Sequence, residues 1–116
     1  RSILQSELLM KYIDGKAPKK VRKMKFLAFE DGIVLFWKAP KGKDWSNKAV
    51  KYVVYKFVKG EKINIDDPSK IVAITSDEFY KIPASAIKPG EKHYYVVTAL
   101  DRLSNESKPR KKSIRY

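Results

Sequence analysis

His93-Tyr94-Tyr95-Val96-Val97-Thr98-Ala99-Leu100-Asp101-Arg102-Leu103-Ser104-Asn105-Glu106-Ser107-Lys108-Pro109 decides how the rest of the chain is read. From Tyr94 to Leu100 the residues are mostly aromatic, β-branched or small and apolar, as a strand with a buried face requires. Asp101 to Asn105 is a polar turn, and Pro109 bars a central-strand position immediately after Lys108. Side chains alternate along a strand, so Tyr95, Val97 and Ala99 share one face and are expected to point inward.

Working outward, the same period of two recurs from Val21 onward. Val21, Met24, Phe26 and Ala28 mark a first strand, ended by the turn residues Glu30-Asp31-Gly32. Ile33-Val34-Leu35-Phe36-Trp37-Lys38-Ala39-Pro40 is the second, stopped by proline, and Lys41 to Lys48 is a polar loop. Val50 to Phe57 is the third, Ile71 to Thr75 the fourth, and Phe79 to Ile82 a short fifth before Pro83. Ile87-Lys88-Pro89-Gly90-Glu91 turns the chain into the strand at 93–100, and a last strand lies near Lys111 to Tyr116. About seven short strands separated by turns define an all-β, immunoglobulin-like sandwich. Its expected core is Phe26, Ile33, Leu35, Trp37, Val53, Tyr55, Ile74, Tyr95, Val97 and Ala99.

Four stretches, in order, resemble the fibronectin type III pattern. Leu35-Phe36-Trp37-Lys38-Ala39-Pro40 is similar to its L-x-W-x-x-P second strand, and Tyr52-Val53-Val54-Tyr55-Lys56 to its Y-x-V-Y-R/K third strand. Ile87-Lys88-Pro89-Gly90 is similar to its L-x-P-G turn, and residues 93–109 complete the series. The resemblance covers residues 18–116. It implies a tyrosine-corner hydroxyl six residues before Ala99, where this chain has His93 instead. Either His93 makes the equivalent bond through a ring nitrogen, or a neighbouring tyrosine remakes the corner.

The wording of residues 49–57, Gly60-Glu61, 65–71 and 97–109 is further similar to the C-terminal module of family-10-like glycoside hydrolases from Bacteroidetes. That resemblance implies a preceding TIM-barrel catalytic domain and an exported parent: periplasmic, secreted or a surface lipoprotein. None of that family's catalytic motifs lies in this chain, so no catalytic residue is carried over.

Residues 2–13 differ in kind. Leu4, Leu8, Leu9, Tyr12 and Ile13 form an amphipathic helical stripe that Ser2 can cap and Asp14-Gly15 can stop. Residues 1–17 are therefore expected to be the end of a preceding domain or a linker helix, and 18–116 the sandwich. The chain opens on Arg1-Ser2 without a visible signal peptide, and the expectation is of a piece cut from a longer precursor.

The 116 residues are one domain's worth, and 43% hydrophobic content fits a globular chain. The absence of cysteine excludes a disulfide scaffold, a thiolate metal site and a cysteine nucleophile. Net charge is +13, and residues 1–60, with 15 Lys/Arg against 5 Asp/Glu, contribute most of it. Lys16 to Lys25 and Lys108 to Arg115 are basic runs, but no recognition helix, RNP aromatic pattern or Gly-x-x-Gly clamp accompanies them. A solvated face is preferred over a nucleic-acid site.

Few residues bear on chemistry. Asp66-Asp67 and Asp77-Glu78 are adjacent pairs, which cannot flank a scissile glycosidic bond and lack calcium-loop spacing, so they read as turn and capping groups. His93 is the sole histidine, too little for a zinc site, and Ser85 and Ser104 lack a nucleophile elbow. Neither metal nor cofactor is expected. Trp45 sits in a loop where no alternation buries it, and local packing, a neighbouring domain or a glycan could each take its indole. Trp45, Lys41, Lys43 and Arg110 are the candidate interdomain or glycan contacts.

The first and last strands of such a sandwich run the same way. The starts of both basic runs, the 41–48 loop and the 101–109 turn should share one pole, where residues 1–17 also enter. The preferred reading is a non-catalytic, monomeric accessory or spacer module whose basic pole and Trp45 dock on an acidic face of the preceding domain. The alternatives are a carbohydrate-binding module, needing two coplanar exposed aromatics, and a basic nucleic-acid or anion binder.

Overall fold

The computed structural model describes residues 17–40 and 49–116. The expected helix over 2–13 and the 41–48 loop, with Lys41, Lys43 and Trp45, lie outside the described residues. Strands β1 (Arg22–Phe29), β2 (Gly32–Lys38) and β5 (Phe79–Ile82) form one antiparallel sheet in the order β1-β2-β5. Strands β3 (Lys51–Val58), β4 (Ile71–Thr75), β6 (Lys92–Leu100) and β7 (Arg110–Arg115) form the other, ordered β4-β3-β6-β7. Helical structure among the described residues is limited to the 3-10 turns Pro68–Lys70 and Ala84–Ala86. The seven strands fall where the period-two pattern puts them, because each apolar run ends at a residue that breaks pairing.

Between the sheets lie Leu35, Trp37 and Ile82 from one side and Tyr52, Val54, Tyr95, Val97 and Ala99 from the other. Trp37 meets the ring of Tyr52 edge-on at 5.5 Å, and Phe26 meets Tyr95 likewise at 5.8 Å. Trp37 lies opposite a bulge in β1, between the pairs Arg22–Lys38 and Lys25–Phe36. Within it Lys23 takes a left-handed φ of 51° and Met24 is buried.

A second cluster departs from the expected core. Val53, Tyr55, Phe57 and Val96 are buried on the far face of the four-stranded sheet, under Ile63, Ile65 and Ile71. From β3, the core between the sheets takes Tyr52 and Val54 instead. Alternation accounts for the difference, since neighbours on a strand face opposite ways. Ile74, also expected in the core, is 59% exposed, and Ala73 packs inward in its place. Ile74 pairs with Val53 and so shares the far face, but on β4, the sheet's edge strand. Phe26 and Ile33 pack against the core only partly buried.

The open side between β1 and β7 is closed by two cations. Arg110 Nε donates to the Val21 carbonyl at 2.6 Å, and Lys112 Nζ to the Met24 carbonyl at 3.2 Å.

Candidate functional site

The turn from Asp101 to Pro109 is built by its own polar side chains. Buried Asp101 accepts the backbone N–H groups of Leu103 and Asn105 on Oδ1, both at 2.9 Å, and the Asn105 amide on Oδ2 at 3.0 Å. A short side chain with two acceptors in this position is what fixes a turn containing Ser104 at φ 63°. Ser107 extends the pairing of β6, its Oγ accepting the Ala99 N–H at 2.9 Å. Glu106 turns back over the second cluster, where Oε2 accepts the Thr98 hydroxyl at 2.6 Å and the Tyr55 hydroxyl. The D-R-L-S-N-E-S wording of the opening stretch is thus a wiring scheme for one end of the sandwich.

That end is the expected basic pole. Arg22 Nε donates to the Ala39 carbonyl at 2.8 Å, Val50 N–H to the Leu100 carbonyl at 2.8 Å, and Ala39 N–H to Glu78 Oε2 at 2.5 Å. The starts of β1, β3 and β7 and the ends of β2 and β6 therefore meet there, with Lys19, Lys20 and Lys108 exposed. Arg110 belongs to this pole, though its Nε is engaged by Val21. Lys41, Lys43 and Trp45 are outside the described residues, but Pro40 and Ala49, which flank their loop, are at this end.

At the opposite pole His93 replaces the tyrosine corner. Its buried ring sits edge-on to Tyr116 at 4.8 Å, and Nε2 lies 3.0 Å from Glu91 Oε1, a side-chain partner rather than a backbone one. Tyr95 does not remake the corner. Its hydroxyl bonds that of Tyr116, and burial followed by this bond pushes the Tyr95 phenol far above its ordinary value. Burial likewise raises Tyr80 and Tyr116, and raises Tyr52 with help from the nearby Glu78 charge.

The remaining carboxylates have framework tasks. Asp67 Oδ1 caps the 3-10 turn through the Ser69 N–H at 3.0 Å, and the Ser69 hydroxyl holds its carboxyl below the usual range. Glu61 pairs with Lys70, which lowers it in the same way, and Asp31 pairs with Lys81 at 3.0 Å. Asp77 N–H is bound by Thr75 Oγ1 at 3.0 Å. Among the described residues no three His, Asp or Glu side chains converge as a metal would need.

Sequence reasoning missed the outer face of the three-stranded sheet. Leu27, Phe29 and Phe79 are exposed there, beside Val34 and Phe36. The signal was present: Phe26-Leu27-Ala28-Phe29 and Ile33 to Trp37 are apolar at both parities, so both faces of each strand carry apolar side chains. The rings of Phe36 and Phe79 lie 6.3 Å apart but inclined by 43°, unlike the flat platform on which a sugar ring stacks.

No known family profile matches the chain, and no curated protein matches it by sequence. Solved structures do match. FN3tt mut aligns over 86% of this chain and 97% of its own, with 18% identity and a TM-score of 0.60. The spore cortex lytic enzyme SleM of Clostridium perfringens aligns over 85% of this chain but 28% of its own, with 14% identity and a TM-score of 0.62. The beta-1,2-glucanase from Parabacteroides distasonis aligns over 85% of this chain and 12% of its own, with 22% identity and a TM-score of 0.54. At such identities the likeness is one of fold, and the chain folds as an immunoglobulin-like sandwich of the fibronectin type III kind.

Proposed function

We propose that this chain is a non-catalytic accessory module that packs against and positions the catalytic domain of a larger exported glycoside hydrolase. The observation that carries this reading is the assignment of its polar groups. Asp67, Asp101, Glu78, Glu91 and Glu106 are each committed to a cap, a turn or a strand tie. Groups fixed in this way hold a scaffold; catalysis needs pairs aimed at one point in a cleft. Similar folds occupying 28% and 12% of two enzyme chains support a modular role.

The basic pole gives the module its attachment. Residues 17–20 approach β1 there, and Lys19, Lys20 and Lys108 present cations that an acidic face of the preceding TIM-barrel domain would meet. Trp45, Lys41 and Lys43 belong to the same proposal through their loop. The module acts as a monomer in this reading and needs no cofactor or nucleic acid.

The test is deletion. Removing residues 18–116 from the natural polypeptide should lower the melting temperature of the catalytic domain, and the isolated module should hydrolyse no glycoside. Glycoside hydrolysis by the isolated module, or a catalytic domain indifferent to the deletion, refutes the proposal.

A further inference from the structure

The outer face of the β1-β2-β5 sheet is uncovered yet apolar. Leu27, Phe29 and Phe79 are 42%, 53% and 46% exposed, contiguous through the pairs Leu27–Val34 and Phe36–Phe79. The strands hold no carboxylate on this side, and Glu78, which lines the groove just before β5, is engaged by the Ala39 N–H. Lys25, Lys38 and Lys81 border the apolar centre, and Lys81 is paired with Asp31. Beside the β1 bulge the face dips into a groove of about 540 Å³ reaching from Lys23 to Phe79. Contiguous exposed apolar side chains of this kind mark a contact surface.

We infer that this face is where the neighbouring domain seats, its footprint running from the basic pole along β1. The inference rests on the accessory reading above and names the surface it uses. The partner is a protein face with an apolar ridge flanked by carboxylates. Its ridge enters the groove, and its carboxylates meet Lys23, Lys25 and Lys38, which Coulomb attraction in a drying interface favours. A second copy of this chain is disfavoured, because it would oppose lysine to lysine with +13 on each partner.

The chain has no cysteine, so single cysteines report cleanly. Phe79→Cys and, on the far sheet, Ile74→Cys are placed in the isolated chain and in the natural polypeptide, and maleimide labelling of each peptide is timed. Cysteine at 79 should label about tenfold or more slowly in the natural polypeptide than in the isolated chain, as for a site closed nine-tenths of the time. Cysteine at 74 should label equally in both. Lys25→Glu with Lys38→Glu should restore fast labelling at 79.

Equal labelling at 79 in both contexts overturns the inference. If deleting the module still destabilises the catalytic domain, only the choice of face is wrong; if not, the accessory reading falls with it. Protection at 79 in the isolated chain by phosphatidylcholine–phosphatidylserine vesicles, without protection in the natural polypeptide, also overturns it and makes the face a membrane surface.

Discussion

The hydroxyls of Tyr95 and Tyr116 lie 2.8 Å apart, joining the middle of β6 to the residue just past β7. Tyr95 is buried between the sheets, flanked by Phe26 and Tyr80, so its hydroxyl depends on this partner. Tyr116→Phe should therefore cost about 1–3 kcal/mol, the range for a buried polar group left unsatisfied. The double change Tyr95→Phe with Tyr116→Phe should cost less than the two single changes added together. Urea midpoints at constant slope measure both. Simple additivity would show that the hydroxyls do not act as a pair.

Alkali should unfold the protein through its phenols. Tyr52, Tyr80, Tyr95 and Tyr116 all ionise above their ordinary value, burial being the largest cause in each. A raised folded value means that the neutral phenol is favoured in the folded state. The resulting stability is complete below about pH 10 and is lost as pH climbs beyond it. Phenolate absorbance at 295 nm should show these four tyrosines ionising only as ellipticity collapses. Ionisation of these four near the ordinary value in a folded protein would contradict this.

Glu106→Ala should loosen the end of the sandwich that carries the basic pole. The change strips the acceptor from Thr98 and from Tyr55, both on buried strand positions. Hydrogen bonds to a charged group contribute about 1.5–3 kcal/mol, and a loss in that range is expected. Glu106→Gln, which keeps one carbonyl oxygen, should lose less. A Gln variant as unstable as the Ala variant would assign the effect to charge rather than to hydrogen bonding.

Gly90→Ala tests a turn by conformation alone. Gly90 has φ +83°, its N–H donates to the Tyr116 carbonyl at 2.8 Å, and a methyl group there would touch nothing. The penalty should be about 1–2 kcal/mol, from the left-handed backbone and not from crowding. A neutral substitution would mean that the turn readily adopts another backbone shape.

Strand positions, turn residues and the inward set Tyr95, Val97 and Ala99 were legible because period and punctuation are local. Asp67 and Asp77 were legible as turn groups for the same reason, whereas Glu78, read the same way, ties the Ala39 N–H 39 residues away. The two faces of β3 were not. Tyr52-Val53-Val54-Tyr55 is apolar throughout, and only the descent of residues 61–71 over the far face decides that Val53 and Tyr55 lie outside the sandwich. Ile74 misled together with its partner Val53, since both face the far side, and it lies exposed there because β4 is the edge strand. The second basic run read as a solvated face, yet Arg110 and Lys112 reach carbonyls 89 and 88 residues away, a distance that no local pattern spans. His93 was legible as the departure from a tyrosine corner, but its partner Glu91 was not, since a ring nitrogen two residues from a carboxylate has no motif.

Those two cationic ties have a mechanical consequence. Strands β1 and β7 run side by side in the same direction, so the chain enters the module at one pole and leaves it at the other. A pull between Ala17 and Tyr116 would draw β1 and β7 past each other lengthwise. Arg110–Val21 and Lys112–Met24 are then loaded together in shear, instead of being peeled open one at a time. Pulled lengthwise in this way, the sandwich would pass tension along its length as a stiff strut.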